Sequence, residues 1–519
     1  MRDLIIGVDS STSATKVVVF NPSGNTVAIA TRGYDISTPH PGWSEQNPED
    51  WWRAFSEACR EVMAQPDVSA DRIAGIGITH QRFSFVPVNS DMRPLRPAIL
   101  WNDIRCAEEA EYARTTIGAE KVFSRTGYAP GQWTLYKALW LKKNEPNLYD
   151  RTYKIVLVQD FLIHALTGNL VTLAGAATMT GALDIETPDR WAVDIINAMG
   201  LRRDIWIDEI LPGCTLAGSV TPDAAVATGL PEGLPVATTA GDQPCGILGA
   251  GVTEPGQLGI NGGTSCTNEF VVDGLPSRTA QDFMIEISPS GDYIVENYIP
   301  SGGSALMKWY RGNLGMADEF EAEKNGVDAW TEIYNLAARS PVGNHGVCLL
   351  PFFQGANGPF WDLNARGLLF GLHTDHGRPE IVRAIIEGLA YESRRQAMLM
   401  EKGTGTKVST IRMYGGSSVS DHWNQAFSDV FRVPVEIPNT VETTALGAAI
   451  SAAVAVGHFA SCKEAGERMV SVKKSYSPDE RSSDLYDAHY ARVFEPLYER
   501  TRDMMAANAE INRAYTQGV

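Results

Sequence analysis

The sequence predicts an α/β protein made of two domains of one type. Three observations predict it. The 519 residues exceed one ordinary core and suit two α/β domains of roughly 200–250 residues each. Short apolar, β-branched runs alternate with helix-period stretches along the whole chain. An opening of strand, small polar turn and strand at the N-terminus also returns at mid-chain, the mark of an internal duplication.

The elements follow in order. Leu4–Val8 and Lys16–Phe20 are apolar runs that predict strands, with the polar turn Asp9-Ser-Ser-Thr-Ser-Ala-Thr15 between them. Pro22-Ser-Gly24 is a second turn and Val27–Thr31 a third strand, completing an antiparallel meander. Trp52–Ala64 has helical spacing, with Asn47 or Asp50 as its cap. Ile73–Ile78 reads as a buried strand. At mid-chain, Gln257–Ile260, the turn Asn261-Gly-Gly-Thr-Ser-Cys266 and Glu269–Val272 repeat the opening, so Thr12-Ser13 and Thr264-Ser265 hold equivalent places. The Gly/Pro-rich crossing at 249–256 sets the expected boundary, giving domains 1–251 and 252–519. Later, Val408–Met413 predicts a strand, Gly415-Gly416 a tight turn, and Ser420 or Asp421 the cap of a helix whose Trp423, Phe427, Val430 and Phe431 share a face. A second helix starts near Thr443 and runs through Ile450.

Composition narrows the function classes. The chain carries 44 basic and 62 acidic residues, a net charge of −18. That argues against nucleic acid or an anionic membrane as partner, since both need a basic footprint. Seven dispersed cysteines form no CxxC pair, which predicts free thiols in a reducing, cytoplasmic setting. The five-residue apolar run at the N-terminus is too short for a signal peptide, and the Ala/Gly-rich stretch 445–460 too short for a membrane span.

Several turns can carry chemistry. The hairpin Asp9–Lys16 offers backbone N–H groups and hydroxyls to phosphate oxygens; Asp9, ending a strand, can hold Mg²⁺ through water, and Lys16 adds charge if it turns inward. Gly262-Gly-Thr-Ser265 supplies the same donors. Either hairpin alone also fits an ordinary polar turn. Asp242, in Ala240-Gly-Asp-Gln243, follows an apolar run and fits both a general base for a hydroxyl and a helix cap. Gln81-Arg82 and Trp101-Asn-Asp103 follow strands, where α/β sites form. Arg82 and Asp103 can bind vicinal hydroxyls and Trp101 can cover a carbon chain; a salt bridge beside a core tryptophan fits the same residues.

Taken together, these residues resemble the FGGY family of carbohydrate kinases, whose members include glycerol kinase and xylulokinase. The resemblance runs nearly end to end. It covers VDSSTSATK (8–16), GWSEQNPEDWW (42–52), ITHQR (78–82), RPAILWNDIR (96–105), AGDQ (240–243) and GGTS (262–265). It continues through PFWDLNARGLLFGL (359–372), EGLAYE (387–392), YGGSSVSDHWNQAFSDV (414–430) and ETTALGAAI (442–450). The resemblance implies two ribonuclease H-like, actin-like ATPase domains with a cleft between them, and ATP with Mg²⁺ as cofactors. It implies Asp242 as general base, and Asp9 with Asp242 at the magnesium. Thr12, Ser13, Lys16 and Thr264 become phosphate contacts, and Gly302, Gly303, Gly416 and Ser420 nucleotide contacts. Gln81, Arg82, Trp101, Asp103 and Gln243 become substrate contacts.

Two positions depart from the family pattern. Ser11 replaces a glycine usual in the first hairpin, which questions the shape of that turn. Phe83 stands where glycerol kinases carry glutamate, which disfavours glycerol, although Gln81-Arg82 is not the Met-His of xylulokinases. The expected reaction is phosphorylation of a terminal hydroxyl of a small sugar or polyol, a pentulose such as xylulose first, with glycerol, erythritol and ribulose as alternatives. A non-catalytic actin-like sugar sensor is the expectation of another class. Association of copies into a homo-oligomer stays open.

Overall fold

The N-terminal meander forms where its pattern predicts. β1 (Leu4–Ser10), β2 (Ala14–Phe20) and β3 (Thr26–Gly33) pair antiparallel in sequence. β4 (Ile73–His80), buried along its whole length, joins β1 in parallel. β5 (Leu216–Ser219) and β6 (Pro235–Ala237) complete a six-stranded sheet of order β5-β6-β4-β1-β2-β3. The predicted helix spans Pro48–Met63 and is capped by Asn47, whose side chain accepts from the Glu49 N–H. A small four-stranded sheet, in the order 45–46, 98–99, 85–88 and 154–157, stands in the same unit.

The duplication is legible in the strand order. β7 (Gln257–Gly262) pairs antiparallel with β8 (Cys266–Val272), beside which lies β9 (Tyr293–Ile299). β10 (Thr410–Tyr414) is parallel to β7, β11 (Val435–Pro438) parallel to β10, and β12 (Val472–Tyr476) antiparallel to β11. The order β2-β1-β4-β6-β5 in the first sheet therefore matches β8-β7-β10-β11-β12 in the second, with the same sequence of antiparallel and parallel pairings.

This is a computed structural model that describes residues 2–279 and 281–517. The chain divides into two compact units, and they are not two continuous stretches. The first comprises Met1–Glu254, Val271–Val295 and Glu442–Ser471; the second comprises Pro255–Phe270, Glu296–Val441 and Val472–Val519. The break at 254–255 falls within the Gly/Pro-rich crossing where the expected domains 1–251 and 252–519 meet, and the segments 271–295 and 442–471 pack with the first unit.

The physical reason for the later return lies in helix 443–455. It packs directly on the backbones of β1 and β4: a methyl group on Gly7 would sit 1.9 Å from the Ala445 carbonyl oxygen, and one on Gly77 2.2 Å from that of Ala448. Against helix 242–249 the approach is as close, since a methyl group on Gly447 would lie 1.8 Å from the Cys245 carbonyl oxygen. Small residues are thus obligatory at this contact. The Ala/Gly-rich composition of this helix is the signature of backbone-to-backbone packing. Ile5, Val18, Phe20, Leu248, Leu446 and Ile450 fill the core around it. Among the described residues no helix is long and apolar enough to cross a membrane.

Candidate active site

In the first unit the turn between β1 and β2 is tight. Ser11 donates both its N–H and its hydroxyl to the Ala14 carbonyl, each at 2.9 Å. None of its residues is left-handed, so Ser11 sits where a glycine is not needed for backbone reasons. Thr12 and Ser13 stand at its tip, Thr12 partly buried and Ser13 exposed. Asp9 and Lys16 are cross-strand neighbours in the β1–β2 ladder. Lys16 pairs with Glu442 at 2.5 Å.

Asp9 is half-buried, and its inward Oδ1, shielded from solvent, has no hydrogen-bond partner among the described residues. Burial, reinforced by the nearby Asp242 charge, pushes its pKa up to about 7. Removal of a carboxylate from water disfavours its charged form unless a cation or donors compensate. An acid held this way, beside a second carboxylate, is a donor set that suits a hard divalent cation.

Asp242 opens helix 242–249 just after β6, with Gly241 at the cap. Its Oδ1 lies 3.2 Å from Arg82 Nε and accepts the Gln243 N–H at 2.9 Å. Arg82 Nη1 donates to Glu286 at 2.8 Å, and Glu286 also accepts from the Tyr128 hydroxyl at 2.5 Å. One guanidinium thus bridges two carboxylates. Beside it, Phe83 has a φ of 60° and packs against Trp133 and Tyr128, with ring centroids 4.6 and 5.9 Å apart. The Arg82 guanidinium carbon lies 5.3 Å from the Phe83 ring centre. An apolar wall therefore stands next to the charged pair. His80, one step earlier on β4, is fully buried, and burial lowers its pKa to about 3, so it stays neutral.

A hydrogen-bond ring ties the strand ends together. Gln81 Nε2 donates to Gln46 Oε1 at 2.9 Å, and Gln46 Nε2 donates to the Thr12 carbonyl at 2.5 Å. Ser84 donates to Gln81 Oε1 at 3.1 Å and accepts the Trp101 N–H at 3.0 Å. Trp101 Nε1 returns to the Thr12 hydroxyl at 2.9 Å. Lys137, buried and lowered by burial to about 8, donates to the Leu100 and Trp101 carbonyls at 2.6 and 3.2 Å. The half-exposed indole of Trp101 is held rigidly over the hairpin.

The expected substrate contacts divide accordingly. Arg82, Trp101, Asp242 and Gln243 keep some exposure. Gln81 is 1 % exposed and its amide serves the ring. Asp103 is fully buried: its oxygens accept from the Arg105 side chain at 2.7 and 2.8 Å and from the Ser44 N–H at 2.6 Å. In this geometry both side chains are engaged in holding loops.

In the second unit three glycine-rich turns converge. The Gly263 carbonyl accepts the Ser304 N–H at 2.5 Å, and the Thr264 carbonyl accepts that of Gly303 at 3.2 Å. A methyl group on Gly303 would sit 2.1 Å from the Gly263 oxygen. Gly415, with φ of +82°, lies where a methyl group would meet Asn261 Oδ1 at 2.5 Å and the Gly263 nitrogen at 2.9 Å. So the hairpin, 302–304 and 415–417 pack backbone to backbone, and Thr264, Gly302, Gly303 and Gly416 come together. A methyl group on Gly416 would meet nothing within 4 Å; its face is open. Ser420 instead caps helix 421–431, its hydroxyl accepting the Trp423 N–H at 3.2 Å, and is 5 % exposed.

The sequence reading missed Gln46, Glu286 and Glu442. Gln46 lies inside the conspicuous stretch 42–52 and had a readable position. Glu442 likewise opens the quoted stretch 442–450, whereas Glu286 had no readable position, because it matters through Arg82, 204 positions away.

Comparison with known proteins places the chain in a family. The N-terminal domain of the FGGY family of carbohydrate kinases matches residues 4–249 and its C-terminal domain residues 258–456. The xylulose kinase of Bacillus subtilis strain 168 is 29% identical over 509 residues, covering 97% of this chain and 98% of that one. The glycerol kinase of Shewanella baltica strain OS185 is 29% identical over 494 residues, covering 92% and 95%. The crystal structure of xylulose kinase from Rhodospirillum rubrum superposes with a TM-score of 0.87 at 26% identity, covering 97% of this chain and all (100%) of that one.

Proposed function

Because the chain belongs to the FGGY family of carbohydrate kinases, we propose that it transfers the γ-phosphoryl group of ATP to a terminal hydroxyl of a pentulose such as xylulose. The observation that carries this reading is the Arg82–Asp242 pair at the opening of helix 242–249, beside the half-exposed Trp101 and the aromatic wall at Phe83. The similarity to xylulose kinases over nearly the whole chain supports the substrate class.

Asp242 accepts the proton of the attacking hydroxyl, and Arg82, 3.2 Å away, aims that carboxylate. Phosphoryl transfer passes through a loose transition state, so most of the rate comes from position and charge rather than covalent chemistry. Thr12 and Ser13 present hydroxyls to phosphate in the first unit. In the second, Thr264, Gly302, Gly303 and Gly416 offer backbone to the nucleotide, and Ser420 supports that loop by capping the helix behind it. Gln243 and Trp101 contact the sugar. Lys16, engaged by Glu442, sets the field around Asp9. Asp9 and Asp242 would hold Mg²⁺ through water molecules; the ion, when bound, neutralises charge on the phosphates. We place the enzyme in the cytoplasm, where ATP is available.

Phe83 bears on the substrate. An aromatic ring in an aromatic cluster offers no hydrogen bond to a polyol's second hydroxyl, whereas it suits the C–H face of a longer ketose. The test is ADP release with Mg-ATP across C3–C6 polyols, ketoses and aldonates. Strongest stimulation by a pentulose is expected. Preference for glycerol or erythritol would overturn the substrate, and ATP turnover indifferent to every sugar would overturn the reading.

A further inference from the structure

We propose that Cys214 and Cys462 form a modification site, at which the two thiols close to an intramolecular disulfide when a peroxide or a low-molecular-weight disulfide reaches the cavity they line. Their Sγ atoms are 3.1 Å apart although 248 positions separate them in sequence. A disulfide needs about 2 Å, so closure asks for a shift of about 1 Å.

Several features prepare the pair. Cys214 has a φ of 55°, in a loop whose Gly213 abuts the Pro289 carbonyl so closely that a methyl group would lie 1.8 Å from it. As a thiol, Cys214 donates to that carbonyl at 3.2 Å, which fixes its rotamer beside Cys462. Cys462 is the first residue of helix 462–469, after the cap Ser461. Positions at a helix N-terminus favour a thiolate nearby. The hydrogen bond from Cys462 likewise holds the Cys214 thiol below its usual range. Both line a cavity of about 330 Å³ together with Leu248, Ser290, Asp292 and Lys463, room enough for a small reagent.

Selectivity follows from burial. Cys214 is half-buried, whereas Cys59, Cys106, Cys245, Cys266 and Cys348 are buried, and burial pushes each of those thiols up. Cys462 is buried too and is raised, by its hydrogen bond to Cys214 and then by burial, so Cys214 is the attacking thiol and Cys462, 3.1 Å from it, the resolving one. The thiolate is the reacting species, so those five stay inert. With hydrogen peroxide, the Cys214 thiolate attacks one oxygen and releases hydroxide, which leaves a sulfenic acid. Cys462 then attacks that sulfur and water departs, so two thiols and one peroxide yield a disulfide and two waters. With a small disulfide, two successive exchanges release two small thiols. The bond would tie the 213–215 loop to helix 462–469, which packs on helices 242–249 and 443–455.

The test uses the full chain under native conditions. The protein is exposed to oxidised glutathione or hydrogen peroxide, remaining thiols are alkylated, and the non-reduced digest is read by mass spectrometry. Expected is the loss of two of the seven thiols, one cross-linked peptide pair containing Cys214 and Cys462, and its disappearance on reduction. In Cys462→Ser, Cys214 should carry a single glutathione adduct with no cross-link. Retention of all seven thiols in the native chain, or a stable glutathione adduct on Cys214 with Cys462 still free, would overturn the proposal. Both readouts are independent of kinase activity.

Discussion

The two strand–turn–strand hairpins descend from one pattern but are built from different materials. At β1–β2 the turn is made of side chains: Ser11 closes it, Thr12 and Ser13 cap it, and Asp9 with Lys16 place charge on its strands. At β7–β8 the turn is made of backbone, with Gly303 and Gly415 approaching so closely that no Cβ fits. The first hairpin stores electrostatic chemistry in a half-buried acid whose inner oxygen has no hydrogen-bond partner among the described residues. The second brings peptide groups to a shared surface, where N–H groups can meet an anion without a charged side chain. Divergence after duplication has therefore separated charge from cradle, and the two halves should break in different ways.

The largest effect should come from the charged side. Asp242→Asn keeps the shape of the helix opening but removes the base, so kcat should fall by about 10²-fold or more, with ATP affinity within a few-fold of the parent. Near-normal turnover would take Asp242 out of that role. The backbone side breaks by volume instead. Gly303→Ala puts a methyl group against the Gly263 carbonyl, so the KM for ATP should rise about tenfold or more while the KM for sugar holds. Gly416→Ala meets open space and should fold and melt like the parent. If both glycine variants bind ATP normally, the cradle reading fails.

Next in size is Phe83→Ala. Removing a buried ring from the cluster with Tyr128 and Trp133 should cost about 3–5 kcal/mol of stability and raise the KM for sugar without moving that for ATP. A thermal melt and paired KM measurements check it. An unchanged sugar KM would detach the aromatic wall from specificity.

How much of this was legible in the sequence differs between the two hairpins for the same reason. The fold class, the duplication, the hairpin strands, the Asn47 and Ser420 caps and the position of Asp242 all rest on local pattern, and local pattern is written in neighbouring residues. The return of 442–471 to the first unit was not legible, because it depends on glycine and alanine backbones meeting across hundreds of positions, and small residues look the same whether they pack or merely turn. The partners of Gln81 and Asp103 were not legible either: a polar residue at a strand end reads as a ligand contact, and the bonds that join these two to Gln46 and Arg105 appear only in the fold. In the second unit the glycines read as turns and nucleotide contacts, but which of them faces open space became clear only from what surrounds each one.

The smallest effect sharpens the comparison most finely. Ser11 departs from the glycine usual at its place, and a glycine there would make the first hairpin more like the second. Its φ is not left-handed, so glycine would relieve nothing. Ser11→Gly should instead lose the side-chain bond to Ala14 and gain freedom in the unfolded chain, lowering stability by about 1–2 kcal/mol. The N–H to Ala14 bond survives the change, so the turn should close as before and kcat should stay within about twofold. A melt shifted down with intact kinetics would show that the serine is a structural staple of a turn built from side chains. A large fall in kcat would show that the hydroxyl itself takes part in the reaction, and that the charge-bearing hairpin extends its chemistry one residue further than its hydrogen bonds indicate.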